Sequence, residues 1–208
     1  MSNLNTTQRL RLYLIRHGEV EDAAPGKLLG HTDARLSARG LDQARKLAET
    51  LSTAQLSAIY SSDLKRAIST AEIIAERHQL QVQSYSAWRE IDMGDWEGRT
   101  IAALYDDTPQ LIGQLFEDPA SFEYPGGESF AAFTARVQRA LDQSLITHKD
   151  GEVALVTHAG VCRAMIGTVL EMPMRTWLRL AQEYGCISVI DWYEGNPTLQ
   201  VLNLRNQV

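Results

Sequence analysis

The chain is short of cysteine, of positive charge and of long apolar runs. Its 208 residues include 2 cysteines, Cys162 and Cys186. Two are too few for a disulfide framework, and their spacing is not that of a metal knuckle. Both lie in apolar stretches and read as small core residues. No apolar run approaches the ~20 residues of a membrane span. The first eight residues, MSNLNTTQ, are polar and have no signal-peptide core, so the expected location is the cytoplasm. Lys and Arg number 20 against 26 Asp and Glu, a net charge of −6. That balance argues against a nucleic-acid surface. An anionic substrate would need a local cationic well, since the average field repels it. There are no internal repeats, no low-complexity segments and no long polar linker, and the length suits a single domain over residues 1–208. No carboxylate cluster of the kind that holds Mg²⁺ stands out, so no metal and no cofactor is expected.

What is present is an alternation of short apolar strands and amphipathic helices. Residues 10–15 read as a buried strand, followed at once by Arg16, His17 and Gly18. Glycine there frees the backbone for a sharp turn. A long loop to about Leu36 follows. Ser37 then stands as the N-cap of a helix over 38–51, with Leu41, Ala44, Leu47, Ala48 and Leu51 on one face. Residues 58–61 form a short strand, and Ser62 or Asp63 caps a second helix packed through Ala67, Thr70, Ala71, Ile74 and Ala75. Residues 80–85 read as another strand. Residues 88–129 differ in character: a loop with Trp88 and Trp96, short helices over 101–117 broken near Pro109, and a second loop over 119–129. This segment reads as a helical lid inserted into an α/β core. A helix from Ser129 to about His148, a strand over 152–157, a helix over 161–170 and a hairpin of strands 186–193 and 199–204, turning at Glu194–Pro197, complete the chain. The order predicts a three-layer αβα sandwich with a mostly parallel sheet and one antiparallel edge.

Five chemistry-bearing side chains fall at comparable places. Arg16 and His17 follow the first strand, Arg66 opens the helix after the second, Glu90 lies after the third, and His158 follows the later buried strand. In a doubly wound sheet such strand ends converge on one rim. Two arginines, two histidines and a carboxylate are the parts phosphoryl transfer needs. Planar guanidinium forks match phosphate, and fixed cations stabilise charge spread over its oxygens. A neutral imidazole can attack phosphorus, and an alcohol leaving group needs an acid to protonate it. Taken singly, each residue also has an ordinary reading. Arg66 would be a solvated helix residue, Glu90 a surface carboxylate beside Arg89, and His158 a core histidine at a strand end. The order of all five beside their glycines favours the catalytic reading. The tryptophans Trp88, Trp96 and Trp177 read as packing rather than ligand stacking. His31 and His148 stay unassigned, and His78 reads as a partner of a helix C-terminus.

In these stretches the sequence resembles the histidine phosphatase superfamily, the cofactor-dependent phosphoglycerate mutases and related phosphatases. The carrying segments are Arg16-His17-Gly18-Glu19, residues 30–40 (GHTDARLSARG), residues 61–71 (SSDLKRAISTA), Glu90 with residues 94–98 (GDWEG), and Thr157-His158-Ala159-Gly160. The resemblance implies a phosphoglycerate mutase-like fold. It implies His17 as nucleophile, Arg16, Arg66 and His158 as holders of the phosphoryl oxygens, Glu90 as acid and then base, and the Ala159 N–H as a further phosphate donor. The short middle, residues 125–129 (PGGES) with Phe133, Arg136 and Val137, and the tail over 185–191 are similar to alpha-ribazole phosphatases of cobalamin synthesis. The expected partner is a small phosphorylated metabolite, with neither nucleic acid nor membrane; a homodimer is compatible with the sequence.

The sequence departs from the family's pattern at two positions. The family usually has Asn where Ala23 stands and Ser or Thr where Leu29 stands, both helping to bind phosphate. Either the loop recruits Lys27, His31 or Thr32 instead, or the phosphate site is weakened. The rivals to a phosphatase are a phosphoglycerate mutase, which the short middle opposes, and a non-catalytic phosphate-binding module, which the intact His17–Glu90 pair opposes.

Overall fold

The computed structural model describes residues 9–205 except 146, 149 and 195. The polar N-terminal segment, the last turn expected of the helix before His148, and the glycine of the closing hairpin lie outside the described residues.

Six strands form one sheet in the order β3-β2-β4-β1-β5-β6. They are β1 (Arg9–Arg16), β2 (Leu56–Ser62), β3 (Val82–Tyr85), β4 (Gly151–Thr157), β5 (Ile187–Tyr193) and β6 (Asn196–Leu204). The first four are mutually parallel, with Arg16 opposite Thr157 at the carboxyl ends of β1 and β4. β5 runs antiparallel to β1, and β6 antiparallel to β5, giving the expected mixed edge. Side chains alternate across the pleat, so each strand feeds two cores. Leu12, Leu14, Tyr60 and Leu155 face one side, against α5 (Phe130–Leu145) and α6 (Ala159–Val169). Ile15, Ile59, Ala154 and Val156 face the other, against α1 (Ala38–Thr50) and α2 (Lys65–His78). The inserted segment carries α3 (Ile101–Asp107) and α4 (Pro109–Glu117), split at Pro109 as expected. Its Trp96, Leu104, Ile112 and Phe122 belong to the α5–α6 core, so the lid is built on the sheet rather than tethered beside it.

Several local expectations need correction. Gly18 does not adopt a left-handed backbone. It is required for space: a Cβ there would overlap the Gly40 carbonyl oxygen, because the turn after β1 packs backbone-to-backbone on the first turn of α1. Ser37 caps α1 as read, accepting from the Gly40 N–H at 3.0 Å. Neither Ser62 nor Asp63 is the cap of α2, whose N-cap residue is Leu64. Its first-turn donor, Lys65 N–H, is taken at 2.7 Å by Asp33 from the long loop. Strand β6 begins at Asn196, so the hairpin turn is shorter than the sequence suggested. His78 is not a cation at a helix end, since burial pushes its pKa below the ordinary value.

Candidate active site

Four segment ends meet at the carboxyl rim of the parallel strands. His17 follows β1 and is 3% exposed. Its Nδ1 lies 2.7 Å from the Gly18 carbonyl oxygen, which can only accept, so Nδ1 carries the proton and Nε2 keeps its lone pair. Arg66 Nε–H donates to that Nε2 at 3.2 Å and to His158 Nδ1 at 3.3 Å. The two imidazole rings stand edge-on with centroids 5.1 Å apart. His158 Nε2 lies 2.8 Å from Ser62 Oγ. Both imidazoles are held well below the ordinary value of 6.5, first by burial and then by the positive charge of Arg66. They are therefore neutral, as a nucleophilic imidazole must be.

The Arg66 guanidinium is fully buried. Nη1 donates to Thr32 O and Nη2 to Gly30 O, each at 2.6 Å. Those carbonyls point inward because Glu97 holds the other side of the same loop. Its carboxylate accepts from the N–H groups of Gly30 (3.1 Å), His31 (2.7 Å) and Thr32 (3.3 Å), and from the Thr32 hydroxyl (2.7 Å). Thr70 ties the two catalytic segments together, accepting from Gly18 N–H at 3.2 Å and donating to Arg66 O at 2.8 Å. Arg16 donates from Nη1 to Gln182 O at 2.5 Å, and its guanidinium lies 3.7 Å over the Tyr184 ring. Its buried Nε makes no hydrogen bond among the described residues, leaving an unused donor beside His17.

Glu90 is 5% exposed. Oε1 accepts from Ile91 N–H at 3.0 Å and Oε2 from Gly160 N–H at 2.8 Å. A Cβ at position 160 would overlap Glu90 Oε1, so that position must be glycine. Arg136 clamps the loop that carries the carboxylate. It donates to the carbonyls of Ala87 (3.0 Å), Arg89 (3.0 Å) and Glu90 (3.3 Å) while its fork is bidentate on Glu128, at 3.0 and 2.7 Å. Thr157 O–H adds a bond to Trp88 O at 2.8 Å. Ala159 is the first residue of α6, where a backbone N–H has no intrahelical acceptor and can face an anion.

The structure thus brings together every residue singled out in the sequence: Arg16, His17, Arg66, Glu90, His158 and Ala159. It adds Ser62, Thr70, Glu97, Arg136 and Tyr184, whose partners lie tens of residues away and leave no local pattern. Ala23 is exposed. The residues expected to replace it and Leu29 are engaged elsewhere. Lys27 donates to Asp22 O, His31 Nε2 lies 3.0 Å from Glu90 O, and the Thr32 hydroxyl is on Glu97. What the loop supplies to Arg66 is backbone carbonyls. Trp88 and Trp96 are packed in the core. The thiols of Cys162 and Cys186 are buried, which pushes both pKa values up. Among the described residues no group of three His, Cys, Asp or Glu side chains could hold a metal ion, and no helix is long and apolar enough to cross a membrane.

Comparison with known proteins agrees with this arrangement. The model of the histidine phosphatase superfamily (branch 1) matches residues 12–205. The chain is 33% identical over 196 residues to the adenosylcobalamin/alpha-ribazole phosphatase of Salmonella typhimurium, covering 94% of this chain and 97% of the relative. It is 35% identical over 190 residues to a Proteus mirabilis protein named "Probable phosphoglycerate mutase GpmB", covering 91% and 88%. The crystal structure of the alpha-ribazole phosphatase from Shigella flexneri superposes with a TM-score of 0.84 at 31% identity, covering 95% and 98%.

Proposed function

The chain belongs to the histidine phosphatase superfamily, branch 1, and from that membership we propose that it hydrolyses small phosphate monoesters through a phosphohistidine on His17. The observation that carries the reading is the state of the two imidazoles: both neutral, with His17 Nε2 unprotonated and facing the Arg66 guanidinium. An incoming phosphoryl group takes the Arg66 N–H that now rests on the rings. Arg16 Nε and the Ala159 N–H add donors to its oxygens, and His158 is the fourth contact. For His158 to donate from Nδ1, its proton must move from Nε2. Ser62 allows this, because its hydroxyl can donate to Nε2 as well as accept from it.

His17 Nε2 attacks phosphorus, and the ester P–O bond breaks with its electron pair going to the alcohol oxygen. Protonated Glu90 gives that oxygen its proton. In the second half Glu90 takes a proton from water, the water oxygen attacks phosphorus, and the P–N bond returns its electrons to Nε2. Inorganic phosphate leaves, and Glu90 is again protonated. No step calls for a metal ion. The names of the relatives make alpha-ribazole 5′-phosphate the substrate to try first, and the absence of a sorting signal in the sequence supports a cytoplasmic setting.

The test is trapping with labelled ester at acid quench. We expect a base-stable, acid-labile adduct on the wild type, none on His17→Ala, and turnover unchanged by a chelator. Substantial turnover in His17→Ala would overturn the mechanism. Return of the label as an isomeric ester rather than free phosphate would make the protein a mutase.

A further inference from the structure

Beyond Glu90, on the side away from the imidazoles, lies a cavity of about 340 Å³. Glu90 and Gly160 form part of its wall, so it is continuous with the place where the leaving alcohol takes its proton. The other walls come from three unrelated stretches: Leu115 and Phe116 of the lid, Phe130 and Phe133 of α5, and Met174 and Trp177 of the turn after α6. Nearly all of this is hydrocarbon or aromatic ring. The polar groups are few. Tyr124 lines the cavity and its hydroxyl makes no hydrogen bond among the described residues; burial and the nearby Glu90 charge push its pKa up, so it stays a donor. Arg163 is tied through Nε to Leu180 O at 3.0 Å, and Arg175 is exposed.

We propose that this chamber selects the alcohol half of the substrate and that it is built for a flat, uncharged, largely apolar group, an aromatic or heteroaromatic ring system, with the Tyr124 hydroxyl as its polar anchor. The proposal rests on the phosphatase reading for the identity of the neighbouring site. Two physical arguments carry it. A cavity of this size is within the range of pockets that enclose whole small molecules, far more than a three-carbon acid needs. A carboxylated or polyhydroxylated alcohol would give up its hydration to walls that return almost no hydrogen bonds, which costs binding rather than adding to it. A ring would take unfavourable apolar surface out of water on both sides at once.

The test is equilibrium binding of phosphonates, which are not hydrolysed. Methylphosphonate probes the phosphate cradle alone, 3-phenylpropylphosphonate adds a ring, and 3-phosphonopropionate adds a carboxylate. We expect the phenyl compound to bind about a hundredfold more tightly than methylphosphonate, the order that burying one ring gives. The carboxylate should gain less than about threefold. Met174→Trp fills the chamber from a half-buried position. It should cut the phenyl advantage to about tenfold or less and leave methylphosphonate affinity unchanged, which also shows that the cradle is intact. If that variant disturbs methylphosphonate binding, Leu178→Trp introduces the same bulk from an exposed position. A phenyl advantage below about threefold, or tighter binding of the carboxylate, overturns the proposal. Phosphate release from 2-phenylethyl phosphate is read separately. Tight phosphonate binding without turnover would sink the phosphatase reading and leave the chamber assignment standing.

Discussion

The two halves of the site are built by opposite means. The phosphate half stands on the ends of β1, β2 and β4, and nearly every polar atom in it has an assigned partner. The alcohol half hangs from an insertion, one helix and a turn, and its walls are mostly apolar. A dense hydrogen-bond network tolerates few rearrangements, because each buried polar group left unpaired costs the full desolvation penalty. Apolar walls can be resized without leaving anything unsatisfied. The chemistry is therefore anchored where the fold is least negotiable, and the choice of substrate is placed where it can change.

That division yields a rule open to experiment: changes on the phosphate half should scale all substrates alike, and changes at or beyond Glu90 should alter their ratios. The largest effect is expected for Glu90→Gln, the residue on the boundary. Formation of the phosphohistidine from an alkyl phosphate should slow by roughly 10²–10⁴, the usual contribution of a positioned acid. With para-nitrophenyl phosphate, whose phenolate leaves unaided, a pre-steady-state burst should survive at nearly wild-type rate. Equal losses for both esters would show that Glu90 only positions the substrate.

A smaller effect is expected for Ser62→Ala, which removes the partner of His158 Nε2 at 2.8 Å. One buried hydrogen bond corresponds to about a tenfold change or less in kcat/KM. The factor should be the same for alkyl and aryl esters, and a variant that changed their ratio would break the rule. The smallest effect is on stability. The folded protein holds His17 and His158 below 6.5, so in mildly acid solution the unfolded chain binds protons that the native one refuses. Stability then falls as pH drops from about 6.5 and is fully present above it. Thermal melts between pH 7 and 5 should show a decline that flattens in His158→Asn. A decline of equal slope in the variant would mean that other groups carry it.

The sequence disclosed the phosphate half almost completely, because its residues follow buried strands and the carboxyl ends of parallel strands share a rim. Arg16, His17, Arg66, Glu90 and His158 were placed by that logic alone. It failed where a bond spans the chain without a period. Glu97 reaches back 67 residues to Gly30, and Arg136 reaches 46 to Glu90. Nothing near either residue announces a partner. The cap of α2 was misplaced for the same reason: a local Ser-Asp pair was available, but the fold brings Asp33 across from a distant loop. Gly18 was recognised for the wrong cause, since packing against Gly40 cannot be read from a turn signal. The chamber was invisible, because its walls come from segments that look like ordinary core.

One feature of the empty site bears on what happens after the reaction. Arg66 makes no ion pair among the described residues, and its Nε–H is shared between two neutral rings. Such a cation is satisfied in hydrogen bonds but not in charge. Any tetrahedral dianion that fits between the imidazoles completes it, and inorganic phosphate is one. The protein thus ends each cycle holding a product that resembles the group it was shaped to transfer. Better grip on the transferring group means slower clearing of the site, and that trade between speed and retention is set by a single guanidinium.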